Sequence, residues 1–232
     1  MALQATKTKL HLDGQWNLEE LSNSMKSYIQ LYGFAYSLLP DLPSARDREV
    51  DYIYGKFPWR GGYSTVNFFN QLFHNIPPKL RPQVERIQYS SPGFIELLEV
   101  LAAAAAIAKI VKAVCSVLNN VNDTYRKIQK GSTDHQLAKI NLTKEKLDLT
   151  EKQIDFCKKS NKALIQAFDL TKEQEQLIDR RTGGNPVMKL KILLSVFRRV
   201  KPLAEKQSEG KLEVTGKKSN EAKGHRSGNA RS

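Results

Sequence analysis

Apolar positions recur every three or four residues at Leu18, Leu21, Met25, Tyr28, Tyr32 and Ala35, one face of an amphipathic helix. Asn17 precedes it as an N-cap residue, Glu20 completes a capping box, and Trp16 and Leu21 are placed as a hydrophobic staple. Pro40 and Pro43 end the helix. On either side the period falls to two. Lys7 to Leu12 reads as a strand closed by Asp13-Gly14, Glu49 to Tyr54 as a second with Val50, Tyr52 and Tyr54 on one side, and Val84 to Tyr89 as a third. Between the last two, a helix from Ser64 through Phe73 fits between Gly61-Gly62 and Pro77-Pro78. Residues 1–90 therefore predict a small three-stranded βαβαβ head.

The run Phe94 to Leu118 is apolar nearly all round a helix, broken by Glu96, Glu99, Lys109 and Lys112. Ser91-Pro92 suits a helix start, and no breaker follows until Gly131, so one helix of roughly 57 Å is expected at about 1.5 Å per residue. A second helix, capped by Ser132 or Thr133 and running to about Phe168, should fold back on it as an antiparallel hairpin. That helix carries two apolar stripes, Ile140, Leu147 and Ile154 on one side and Leu142, Leu149 and Phe156 on the other. One stripe can face the first long helix, and the other calls for a third helix or a second subunit. Thr171 caps a short helix ended by Gly183-Gly184. Asn185-Pro186 opens a last one that Pro202 terminates, and the chain from Lys206 on reads as a disordered basic tail. The expected class is α+β and predominantly helical: the head (1–90), the hairpin with shorter C-terminal helices (91–204), and the tail (205–232).

Charge refines this picture. The chain carries a formal net charge of +13, and Gly183 to Ser232 holds twelve basic against four acidic residues. Lys189, Lys191, Arg198, Arg199 and Lys201 are thus the candidate polyanion contacts, suited electrostatically to nucleic acid or anionic lipid. The apolar run needs a cover, with Leu98, Leu101, Ala104, Ile107, Val111, Leu142, Leu149 and Phe156 as candidate assembly or membrane positions. Its polar side changes face across the alanine run, which disfavours a helix lying flat on a lipid surface.

A candidate ligand site lies in the aromatic segment, where Lys56, Trp59, Arg60, Gly61, Gly62 and Ser64 gather before a helix N-terminus, a place that favours anions. The same glycines and aromatics also suit a tight turn and a core. No phosphate-loop, nucleophile-elbow or zinc-ligand spacing is present, so a non-catalytic protein without cofactor or metal is expected. Cys115 and Cys157 form no redox motif and no apolar leader opens the sequence, which points to a cytoplasmic setting, peripheral at the inner membrane if the apolar helix is released.

The layout resembles that of uncharacterised bacterial proteins with a small α/β head, a strand exit like Arg86-Ile-Gln-Tyr-Ser-Ser-Pro-Gly93, an apolar helix and a charged helical segment. The likeness spans mainly Leu10 to Asp148 and implies an association with antiphage defence, with no role for any residue. The expectation is a non-catalytic assembly protein that pairs with itself or docks a partner protein through the hairpin. A nonspecific nucleic-acid or anionic-lipid binder is the alternative.

Overall fold

The computed structural model describes residues 3–56, 62–137, 140 and 149–218. Over these the chain runs β1 (Ala5–Leu12), α1 (Leu18–Ser37), α2 (Ser44–Lys56), α3 (Gly62–Asn75), a 3-10 turn at Pro78–Leu80, β2 (Gln83–Gln88), β3 (Gly93–Val100), α4 (Leu101–Ser116), α5 (Leu118–Asp134), α6 (Glu151–Ala167), α7 (Lys172–Arg181), α8 (Pro186–Ser208) and β4 (Leu212–Lys218). The fold is α+β, with one four-stranded antiparallel sheet in the order β2-β3-β1-β4.

Helix starts follow the expected chemistry. Asn17, Thr150 and Thr171 each accept from the backbone three residues on, and Glu20, Gln153 and Gln174 return the bond as capping boxes. Asn185 accepts from the N–H groups of Val187 and Met188, with Pro186 at the first helical position of α8.

Five elements differ from the expectation. The supposed strand at Glu49 to Tyr54 is part of α2, which buries Val50, Ile53 and Tyr54 at helical spacing and leaves Tyr52 exposed. The aromatic contacts decide it: Tyr54 packs edge-on against Phe68 at 5.0 Å and shares a hydrogen bond with Ser37.

The long helix from Pro92 does not exist in that form. Phe94 to Val100 is β3, and its period of two shows in burial: Ile95, Leu97 and Glu99 face inward while Phe94, Glu96 and Leu98 are half-covered on the other face. Ser91-Pro92 is a cis peptide in the β2–β3 connection. The helix begins only at Leu101, and at Val117, whose φ is −133°, α4 gives way to α5 with a bend of 91°.

The second arm of the expected hairpin is likewise divided. α5 ends at Asp134 in a turn at His135 and Gln136, and the next described helix, α6, starts at Glu151. Leu142 and Leu147 lie outside the described residues.

Finally, Pro202 sits inside α8 rather than ending it, and the supposed tail supplies β4, which pairs with β1 and buries Leu212 and Val214. A proline at this depth removes one backbone hydrogen bond. The packing of Leu203 and Ala204, both fully buried, carries the helix past it.

The sheet turns one face to the helices. Leu10, Leu12, Ile95 and Leu97 from that face join Tyr28 and Leu31 of α1, Ile107 and Val111 of α4, and Leu193, Phe197 and Val200 of α8 in one core. α8 is the central strut, with buried residues around most of its circumference. The strands thus come from the head, from the apolar run and from the C-terminal segment alike.

Candidate interaction surface

β2 is the outer strand beside β3, and among the described residues nothing pairs with its other side. All six of its residues are exposed. The exposure includes apolar side chains: Val84 at 59%, Ile87 at 61%, and Tyr89 just beyond the strand at 66%. An exposed sheet edge flanked by apolar side chains is a ready template for an added strand.

The register explains why these side chains stand together. Val84 is opposite Leu97 and Ile87 opposite Ile95, with a bulge between Val84 and Arg86. Leu97 and Ile95 face the helices, so Val84 and Ile87 lie on that same face although they are three residues apart; the extra residue at Glu85 restores the phase. Among the described residues no helix covers them. On the opposite face Arg86 lies over the Phe94 ring at 5.5 Å, with Lys9 at 4.5 Å from the same ring, while Lys7 and Lys9 each approach Glu96 at 3.7 Å. Among the described residues neither Glu85 nor Arg86 forms an ion pair.

The structure scatters the residues singled out in the sequence. Of the anion candidates, Trp59, Arg60 and Gly61 lie outside the described residues, and Gly62 and Ser64 belong to the start of α3. Lys56 ends α2, its ammonium 5.5 Å from the Tyr52 ring, in a 260 Å³ cleft shared with Gln71 and His74.

Of the assembly candidates, Ala104, Ile107 and Val111 are buried within the chain's own core, and Leu101 opens α4 half-covered. Leu98 lies half-buried on β3, and Leu149 and Phe156 pack partly buried against the core. A Cβ on Gly131 would fall 2.4 Å from the Phe156 ring, so α5 and α6 meet closely there. The cover the apolar helix needs is supplied from within, by α1, α8 and β4. At Gly216, with φ of +54°, a Cβ would come within 2.7 Å of both Ala105 and Ala108. The alanine run thus admits a strand of the same chain at close approach.

The basic candidates are largely occupied. Lys189 is buried between Asp179 at 2.7 Å and Glu175 at 3.1 Å. Arg199 lies 3.7 Å from the Phe69 ring and donates to the Ser195 carbonyl, and burial pushes its guanidinium down to about 10. Arg198 donates to the Ser195 hydroxyl, Lys201 lies 3.6 Å from Glu205, and Lys191 is partly buried near Cys157, with burial lowering its ammonium and raising the thiol to about 11.

Sequence reasoning missed two further polar features. Glu99, fully buried on β3, accepts hydrogen bonds from Thr8 at 2.5 Å and Tyr28 at 2.7 Å, while its second oxygen has no partner. Burial raises its carboxyl above the ordinary glutamate value, and the two hydrogen bonds oppose that shift. A 620 Å³ cleft between α6, α7 and α8 is lined by Lys158, Asn161, Lys162, Glu175, Asp179 and Lys189. Its three cations face two carboxylates, leaving a weak positive balance. Among the described residues no three His, Cys, Asp or Glu side chains come together as metal ligands.

No single helix among the described residues is long and apolar enough to cross a membrane; only α4 and α5 taken together reach that composition, across their 91° bend. No protein-family model, curated protein or solved structure matches the chain.

Proposed function

We propose that the chain is a non-catalytic interaction protein that docks an extended protein segment along β2, adding a strand to its sheet. The observation that supports this reading is the bare strand itself, with its apolar flank of Val84 and Ile87. Main-chain hydrogen bonds would supply affinity, and side chains on alternate faces would supply selectivity. The apolar helix turns its inward face into the chain's own core and plays a structural part in this reading.

A photo-crosslinking residue at Gln88, in cells, tests it against the same residue at Asn119, which is exposed on α5. Protein adducts should form at Gln88 and fall at least tenfold when Ile87→Lys is added. Because Ile87 is largely exposed, that substitution should leave stability within about 0.5 kcal/mol. Equal adduct yields at both positions would refute the docking role of β2.

A further inference from the structure

Gln83-Val84-Glu85-Arg86-Ile87-Gln88 reads the same by residue class in either direction: amide, aliphatic, charge, charge, aliphatic, amide. The two central charges have opposite sign. The face pattern is symmetric too. Val84 and Ile87 share the helix-covered face, whereas Gln83, Arg86 and Gln88 are opposite Leu98, Glu96 and Phe94 on the other, with Glu85 at the bulge.

Resting on the reading of β2 as a docking edge, we infer that its occupant is β2 of a second copy of this chain. The two strands run antiparallel about a two-fold axis between Glu85 and Arg86. In an antiparallel pair centred there, Val84 meets Ile87 of the second copy, Glu85 meets its Arg86, and Gln83 meets its Gln88. One step further, Tyr89 meets Pro82 of the second copy. An axis perpendicular to the sheet keeps each face on its own side, so two Val and two Ile side chains join into one apolar cluster beside the helices.

The charges argue for this occupant. Sheet edges that must stay single are commonly guarded by charges that repel a second copy, such as lysines. Here two copies bring Glu against Arg twice, and among the described residues neither side chain has an ion-pair partner, Arg86 touching only Gln88 and the Phe94 ring. Opposite charges directly across a strand pair are favourable, and like charges are not. The bulge falls at the axis, so two residues of one copy oppose two of the other. The product is a continuous eight-stranded sheet in which every β2 edge group has a neighbour.

Six residues at about 3.4 Å each give a seam near 20 Å long, short of the roughly 1,200–2,000 Å² that stable interfaces bury. The dimer should therefore be weak, in the class of transient contacts that form only at high concentration.

Sedimentation velocity of the full chain from about 10 μM to 1 mM tests the pairing. The wild type should shift from monomer to dimer across that range. Glu85→Arg alone and Arg86→Glu alone place like charges across the axis and should each weaken association at least tenfold. Mixed together, those two variants are complementary and should associate as heterodimers, and the double variant E85R/R86E should again pair with itself. Thermal unfolding unchanged in all variants confirms that only the edge was altered. A wild type that stays monomeric at 1 mM overturns self-pairing, as does a dimer indifferent to both charge variants. If the pure chain is monomeric while Gln88 still crosslinks another protein in cells, self-pairing fails and strand docking stands; loss of both removes the two readings together.

Discussion

β2 and β4 bound the two sides of one sheet, and their surroundings differ. β4 lies against α4, where Gly216 meets Ala105 and Ala108 so closely that no side chain fits. β2 has β3 on one side and, among the described residues, no strand on the other. The contrast reverses what hydrophobicity suggests. The most apolar run in the chain is buried by its own neighbours, whereas a six-residue strand with two charges and two amides leaves its aliphatics exposed. Exposure here follows from reach: α4 starts at the end of β3 and crosses toward β4, away from β2. A surface helix that repels water and a strand edge that lacks hydrogen bonds are different unmet needs. Burial meets the first need over the inward face of α4, whereas among the described residues the second persists along β2.

The contrast breaks most decisively at Ala104. If α4 is a structural cover, Ala104→Glu places a charge with no partner into a site 1% exposed, which should remove roughly 3–5 kcal/mol of stability by urea denaturation. A variant that stays folded and loses only association would instead return α4 to the role of docking helix. The same contact can be probed from the strand. Gly216→Ala adds a Cβ against the α4 backbone and holds alanine at φ +54°, so a loss of about 2–4 kcal/mol is expected from strain and overpacking together. Unchanged unfolding there would mean that β4 can withdraw from α4, making the two sheet edges alike.

Parts of this arrangement were legible in the residues alone. Local signals held wherever a single side chain closes a local hydrogen bond: Asn17 with Glu20, Thr171 with its helix, and Asn185 before Pro186 all begin helices as expected. The strand β1 is legible in its alternation, and β2 lies within one residue of the expected Val84 to Tyr89 although a bulge breaks its period. Failure came where two periods coexist in one segment. Val50, Tyr52 and Tyr54 alternate, but Val50, Ile53 and Tyr54 also lie on one helical face, and packing on Phe68 selects the helix. Phe94 to Val100 carries one acid on each face, Glu99 inward and Glu96 outward, so its apolar residues do not alternate, and its proximity to the alanine run hid a strand in an apparent helix. β4 was obscured by its composition, since lysine and glycine are weak strand formers and pairing with β1 and packing on α4 hold them. The exposure of β2 had no local signal, because Val84 and Ile87 share a face only through the bulge. Of the candidate sites, the polyanion group looked open in sequence because Glu175, Asp179 and Phe69 approach it only in three dimensions.

Glu99 sharpens the comparison from the middle of the sheet, because it tests how far the openness at β2 extends inward. It lies on β3, next to the bare strand, yet burial raises its carboxyl above the ordinary value of 4.5. The unfolded chain has no such burial and releases the proton near that ordinary value. Between the two, the folded state holds a proton that the unfolded state has lost, so stability falls as pH rises, with a slope of up to about 1.4 kcal/mol per pH unit. This contribution is complete below pH 4.5 and gone once pH passes the raised folded value. Glu99→Gln cannot titrate. Its carbonyl can still accept from Thr8 and Tyr28, while its amide takes the place of the unpartnered oxygen at a cost of about 1–3 kcal/mol that does not vary with pH. The informative quantity is therefore the difference between wild type and variant across pH 4 to 8, in which the other carboxylates cancel. That difference should shift steadily toward the variant as pH rises from 4.5, then level off. A difference flat across the whole range would show Glu99 ionising as freely as in water, and would place solvent one strand deeper than β2.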